Sequence, residues 1–293
     1  MIELVLAVWL MPPVKLPLSL GEIMVNVLDI LQYYRPIQPS VKFGDANILY
    51  EELKPSPGLT PFIYCFWQLK TTQPLAEPFH YRVVSDGCID IFFNHKKPEE
   101  NFVMGFCRKY TEFAIGNDFD YIGIRFLPAI FPLLYGIDAK SLSNVSPPLQ
   151  EVLPQFSEWI KTHLLSSDLF PSIVKKLNEK LGHQLDNPNL DLDPRFFKAL
   201  GKIFERKGYL DIEKELETGL SPRQLRRIFN FYIGTTPKAF SNVVRFQHIL
   251  NAKPSQASLK ENKLYFDVGF FDQAHFIKNF KTFYGITPSE AFR

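Results

Sequence analysis

The chain has 293 residues, of which 46% are hydrophobic and 22% charged, enough for two ordinary domains with buried cores and too apolar for wholesale disorder. Its charge is uneven: residues 1–194 hold 16 Lys and Arg against 22 Asp and Glu, a net of −6, while residues 195–293 hold 17 against 9, a net of +8. A basic segment of this kind is a footprint of nucleic-acid binding, although a solvated basic surface would have the same composition.

Residues 1–48 form an unpatterned N-terminal extension broken at Pro12-Pro13, Pro17, Pro36 and Pro39. Its most apolar run, Ile2 to Met11, is half the ~20 residues of a spanning helix, and no basic residues precede it. Neither a membrane partner nor a signal peptide is expected. Cys65, Cys88 and Cys107 cannot all pair and match no zinc spacing, which points to a reducing, cytoplasmic setting.

Residues 49–140 read as a β-rich domain. Phe62–Trp67, Ile89–Phe93, Asn101–Met104 and Tyr121–Phe126 are short aromatic or β-branched runs between Pro, Gly and Asn/Asp clusters. Over residues 141–185 the period becomes helical. Leu149, Val152, Leu153, Phe156, Trp159, Ile160 and Leu164 fall on one stripe, and Phe170, Ile173, Val174, Leu177 and Leu181 on another. These stripes predict either a homodimer contact or intramolecular packing on the β-domain. Residues 186–194 are rich in Asn, Asp and Pro and read as a linker.

Residues 195–293 contain a repeat. Phe229-x4-Gly234-x2-Pro237 recurs as Phe280-x4-Gly285-x2-Pro288 at an offset of 51 residues, with Gly219 and Gly269 ahead of the two copies. That suits a duplicated helix-turn-helix unit. In Ser221-Pro222-Arg223-Gln224, serine can accept from orphan amides, proline fits the first helical position, and Gln224 can reach back. Thr287-Pro288-Ser289-Glu290 repeats the box, and Asp272 is the second copy's equivalent of Ser221.

From Ser221 onward, Leu225, Ile228, Phe229 and Tyr232 mark an inner side. Arg223, Arg226, Arg227 and Asn230 mark the opposite one. Three arginine forks on an exposed stripe suit guanine edges and phosphates. In the second copy Phe276, Phe280 and Phe283 are inner, and the reading positions become Ala274, Ile277, Lys278 and Lys281, with Gln273 and His275 at the edges. The lysines can hold phosphates; Ala274 and Ile277 offer apolar contact, for instance to a thymine methyl.

Gly219-Leu-Ser-Pro-Arg-Gln-Leu-Arg-Arg-Ile-Phe229, Val268-Gly-Phe-Phe-Asp-Gln-Ala-His-Phe276 and Phe280-Lys-Thr-Phe-Tyr-Gly-Ile-Thr-Pro288 resemble the DNA-binding domain of the AraC/XylS family of transcriptional regulators. The resemblance implies two helix-turn-helix units joined by a helix at about Pro237 to Leu250, reading successive major-groove segments of double-stranded DNA. By position it implies that Arg223, Arg226, Arg227, Gln273, Ala274, Ile277 and Lys278 read bases. Ser221, Gln224, Asn230 and Lys281 complete the DNA-binding set. At the packing position where the family has a small residue, this chain has Glu215 and Tyr265. Residues 49–140 resemble, through Ser85–Phe93 and Gly123–Pro128, a domain found ahead of such modules. That implies a β-rich, cupin-like sensor barrel.

The expected architecture is therefore α+β with two domains: a β-rich barrel or sandwich followed by helices, then an all-α domain with two helix-turn-helix units. Catalysis is not expected, since no Gly-x-Ser-x-Gly elbow, P-loop or dinucleotide fingerprint is present. His80 and His95 are too far apart, with no third donor, to suggest a metal. Asp86 and Asp90 could pair, but Asp86-Gly87 is simply explained as a turn. Arg125, a charge inside an apolar strand, is the candidate effector anchor for an anionic or carbonyl group, or else the ion-pair partner of Asp86 or Asp90. The sequence supports a DNA-binding regulator with a small-molecule effector, no cofactor and a homodimeric state. A small-molecule enzyme with a basic tail and an effector-free DNA binder are the alternatives.

Overall fold

A computed structural model describes residues 34–38, 47–185, 193–252, 254 and 272–292. Seven strands come first: β1 (Ile48–Leu53), β2 (Ile63–Thr71), β3 (His80–Val83), β4 (Ile89–Asn94), β5 (Lys97–Met104), β6 (Thr111–Ala114) and β7 (Asp120–Phe126). Five form one antiparallel sheet in the order β1-β2-β7-β4-β5, and β3 pairs with β6 in a separate two-stranded sheet. The four strands expected from composition are all present. Sequence reading passed over β1, which ends in Glu51-Glu52-Leu53 and has no fully buried residue, and over β3 and β6, which are four residues each and half polar.

Period-two alternation sends the large sheet's side chains to two cores. Phe66, Ile91, Phe93, Val103, Ile122 and Ile124 face the helices. Cys65, Trp67 and Leu69 face the small sheet with Tyr81 and Phe119. The two sheets are not hydrogen-bonded to each other among the described residues, so the domain is an open sandwich.

Helix α1 (Ile130–Tyr135) follows β7, then come α2 (Leu149–Val152), α3 (Pro154–His163) and α4 (Phe170–Leu185). Their stripes turn inward: Phe156, Ile160, Ile173 and Leu177 are buried in the same core as the large sheet. Ser157 Oγ donates to Asn101 of β5 at 2.8 Å, and Asn178 of α4 accepts from the Ser56 amide at 2.7 Å. Trp159 stacks on His163 beneath Lys180. The apolar surface that prompted a dimer contact is thus satisfied within one chain, which is the intramolecular alternative.

The remaining helices are α5 (Pro194–Glu205), α6 (Ile212–Glu215), α7 (Pro222–Ile233), α8 (Pro237–Ala252), α9 (Gln273–Tyr284) and α10 (Pro288–Ala291). Val268, Gly269 and Tyr265 of the second repeat lie outside the described residues, as do most of the extension and of the 186–194 linker. Among the described residues no helix is long and apolar enough to cross a membrane.

Candidate nucleic-acid interface and cavity

Helix α6 starts on Asp211, whose carboxylate accepts from the Glu213 and Lys214 amides; Glu215 returns the favour by accepting from the Asp211 amide at 2.7 Å. Glu215 therefore acts as a cap at the place where a small residue is expected. The turn to α7 passes through Gly219 at φ 71°, a conformation that favours glycine. The capping box is formed as the sequence predicts. Ser221 Oγ accepts from the Gln224 amide at 3.3 Å and Gln224 Oε1 from the Ser221 amide at 3.0 Å.

Leu225, Phe229 and Ile233 bury one side of α7. Arg223, Arg226 and Arg227 are exposed on the other, with Asn230 half-buried beside them. None of the three arginines forms an ion pair among the described residues. α7 stops at Gly234, φ 90°, and α8 starts at Pro237.

The second copy uses the same chemistry. Asp272 accepts from the His275 amide at 2.7 Å to start α9, Gly285 ends it at φ 97°, and Pro288 opens α10. Gln273, Ala274, His275, Lys278 and Lys281 are exposed, while Ile277 is half-buried against the core and offers less of itself to a base. Phe246 of α8 packs on Phe280 and Phe283, which fixes α9 to the linking helix.

An acid and a base that sequence reading missed adjoin the first arginine stripe. Asp138 and Lys140, both exposed, line one groove of about 440 Å³ with Arg223, Arg226, Arg227, Asn230 and Phe231. They come from the segment after α1, and only the tertiary contact places them there. Ala139 donates its amide to the Phe231 carbonyl at 2.8 Å, and Ser143 Oγ donates to the Gly234 carbonyl at 2.8 Å. A β-carbon on Gly234 would sit 2.5 Å from Ser143 Oγ, so the segment grips the end of α7 closely.

Eight residues further on from Asp138, Ser146 borders a second cavity, of about 310 Å³, between the two sheets. Its wall is aromatic and aliphatic, with Trp67, Tyr81, Phe92, Phe102 and Phe113 prominent. Asp90 and Arg125 are its charged members, so the structure puts Arg125 at a cavity and in an ion pair together. Arg125 Nη2 lies 2.9 Å from Asp90 Oδ2, Nε lies 3.2 Å from both Asp90 oxygens, and Asp86 is 3.7 Å away. Trp67 Nε1 also donates to Asp90, at 2.9 Å. Burial raises the Asp90 carboxyl above the usual carboxylate range, against the opposing pull of Arg125.

Asp86 is the expected turn residue. Its Oδ1 accepts from the Cys88 amide at 2.9 Å, and Gly87 has φ 77°. Asp86 ties the β-domain to residues 34–38, and its neighbour Ser85 ties it to α8. Gln38 Nε2 donates to Asp86 Oδ2 at 2.8 Å, Tyr34 donates to the Asp86 carbonyl, and Gln247 of α8 donates to the Ser85 carbonyl at 2.8 Å. Residues 34–38, read from sequence as unpatterned, are wedged between the β-domain and α8. Tyr34 packs its ring, tilted by 37°, on Phe204 of α5, and the Ile37 amide donates to Gln247.

A capped helix-turn-helix whose second helix carries an unpaired arginine stripe defines a protein that reads duplex DNA. Residues 216–293 match the helix-turn-helix domain model, and residues 51–148 match a domain of unknown function (DUF6597). The helix-turn-helix match covers the arginine-bearing α7 and the described helices after it, and such a domain marks the chain as a DNA-binding transcriptional regulator. No curated protein matches it. Among solved structures it is similar to ToxT from Vibrio cholerae bound to (E)-4-(8-methylnaphthalen-1-yl)but-3-enoic acid, at 10% identity and a TM-score of 0.32 over 75% of this chain and 98% of that one. An apo lysine-to-alanine variant of ToxT from Vibrio cholerae gives 10% identity and 0.35 over 85% and 98%.

Proposed function

We propose that the chain is a cytoplasmic, effector-modulated regulator in which the cavity between the sheets senses a small molecule and residues 136–146 relay its occupancy to α7. It works by binding, without catalysis. One observation carries the reading: this segment lines the cavity through Ser146 and holds the recognition helix through Ala139 and Ser143. A ligand can bias DNA binding only through contacts that differ between two states, and a segment shared by both sites supplies such contacts. Base reading is assigned to Arg223, Arg226, Arg227, Gln273, Ala274 and Lys278, with Lys281 on phosphate. Pairing of two copies on one DNA raises affinity by effective concentration. The α3 and α4 stripes are not its surface, and mass in solution reads the state.

The test begins with selection of bound sequences from random duplexes by the full chain. DNA affinity for the selected site is then compared with that of Met104→Trp, which fills the cavity from its wall. The relay reading expects a change of several-fold in affinity, with a normal unfolding transition. Equal affinity of a folded Met104→Trp protein and wild type would overturn it.

A further inference from the structure

We infer, resting on the effector reading above, that the cavity between the sheets takes an uncharged, flat aromatic molecule bearing one carbonyl-type oxygen, such as an aryl ketone or aryl amide. The wall sets the body of this ligand. Its volume of about 310 Å³ lies at the small end of ligand sites, and its rings and aliphatic side chains suit one or two fused rings.

The polar groups set the rest. Arg125, 3% exposed, uses Nε and Nη2 on Asp90, but its Nη1 is buried without a partner. Ser146 Oγ is buried without a partner as well, and both residues line the cavity. Nη1 can only donate, and a serine hydroxyl can donate. The missing group is therefore an acceptor, and one oxygen with two lone pairs could serve both. A hydrocarbon would leave both unsatisfied.

Charge excludes the neighbouring classes. Asp86 and Asp90 already share the single Arg125 cation, so a carboxylate ligand would be a third buried anion beside one guanidinium. A cation meets the opposite difficulty. Asp90's oxygens are occupied by Arg125 and Trp67, and a positive ligand would lie beside the guanidinium with no free carboxylate oxygen to bind.

Four probes of similar size separate these cases: acetophenone, ethylbenzene, benzoate and benzylamine, titrated into the full chain by ligand-observed NMR. Acetophenone is expected to bind at least about ten-fold tighter than benzoate or benzylamine and several-fold tighter than ethylbenzene, the margin a satisfied buried donor gives. In Ser146→Ala the margin over ethylbenzene should shrink while ethylbenzene itself binds as before. Benzoate or benzylamine matching acetophenone, acetophenone no better than ethylbenzene, or no binding by any of the four would overturn the ligand class. DNA affinity in the same samples is a separate readout. Acetophenone binding with the expected ratios but leaving DNA affinity untouched would support the ligand class and overturn the effector reading. A failed ligand class with an active Met104→Trp relay would do the reverse.

Discussion

The indole of Trp67 fills the space where a side chain at Gly123 would begin. A β-carbon there would lie 2.2 Å from Trp67 Cε2 and 2.5 Å from its Nε1. Trp67 and Phe92 are the cross-strand partners of Gly123 from either side, so the missing side chain lets the indole cross β7 from β2 toward β4. There Nε1 reaches Asp90 at 2.9 Å and the ring stacks near Phe92. One glycine thus shapes the cavity wall and orients the acid that holds Arg125.

Gly123→Ala should therefore act as an overpacking substitution. The new methyl must displace an indole that is itself buried, at a cost of about 1–3 kcal/mol, and the Asp90 carboxylate loses a donor. Urea unfolding of the full chain checks it. A stability loss below about 0.5 kcal/mol, the scatter of ordinary surface changes, would contradict the close packing described.

The two DNA-facing stripes should divide their work. Arg226, exposed on α7, can fork onto a guanine edge, so Arg226→Ala should cost about 1–3 kcal/mol at particular base pairs and relax preference there. Lys281, exposed near the end of α9, should anchor phosphate. Lys281→Ala should weaken all sequences alike and lower the salt slope by about one. Competition binding against single-base variants of the selected site at several salt concentrations distinguishes the two. A uniform loss from both would remove the assignment.

His95 offers a pH test. Its Nδ1 lies 3.0 Å from Asp120 Oδ2, and this hydrogen bond to a carboxylate raises the imidazole above its ordinary 6.5 despite partial burial. The raised value means that the folded state binds the proton more tightly. The pair's contribution is fully present below pH 6.5 and is lost as pH climbs through the raised value. Asp120→Asn should bring the midpoint of His95 down and flatten the fall in stability above pH 6.5. NMR titration of the ring, assigned with His95→Gln, measures it. A wild-type midpoint at or below 6.5 is the opposing result.

What was legible in the sequence was local chemistry. Ser221 and Gln224 are three residues apart, Gly234 and Gly285 sit where a helix must end, and the arginine stripe needs only the helical period. Strand composition likewise marked β2, β4, β5 and β7. The cavity was only half legible. Arg125 stood out as a charge in an apolar strand, but Asp90, Trp67 and Gly123 come together around it through pairings 23 to 56 residues apart that no local pattern specifies. Asp138 and Lys140 are further still from α7 in sequence, and Tyr34–Gln38 owe their position to Val84, Asp86, Phe204 and Gln247. Such contacts depend on how the two domains dock, which composition does not record.

Asp138 leads to the last prediction. It is a single carboxylate in a groove otherwise lined by Arg223, Arg226, Arg227, Lys140, Asn230 and Phe231. The same cations are those expected to meet DNA, so Asp138 weakens the field that draws phosphate toward them. Its local duty is modest: Oδ1 accepts from the Lys140 amide at 2.9 Å, and asparagine keeps that oxygen. Asp138→Asn should therefore preserve the turn while removing the charge. Because the group is exposed, the gain in DNA affinity should be small, about 0.5–1 kcal/mol or roughly two- to five-fold, and should shrink as salt rises. Lys140→Gln should shift affinity the other way by a similar amount, since it removes a cation from the same groove. Fluorescence anisotropy on the selected duplex at low and high salt reads both. If neither substitution changes affinity at low salt, the groove beside α7 is not where the phosphates pass, and the arginine stripe would have to approach DNA from its other edge.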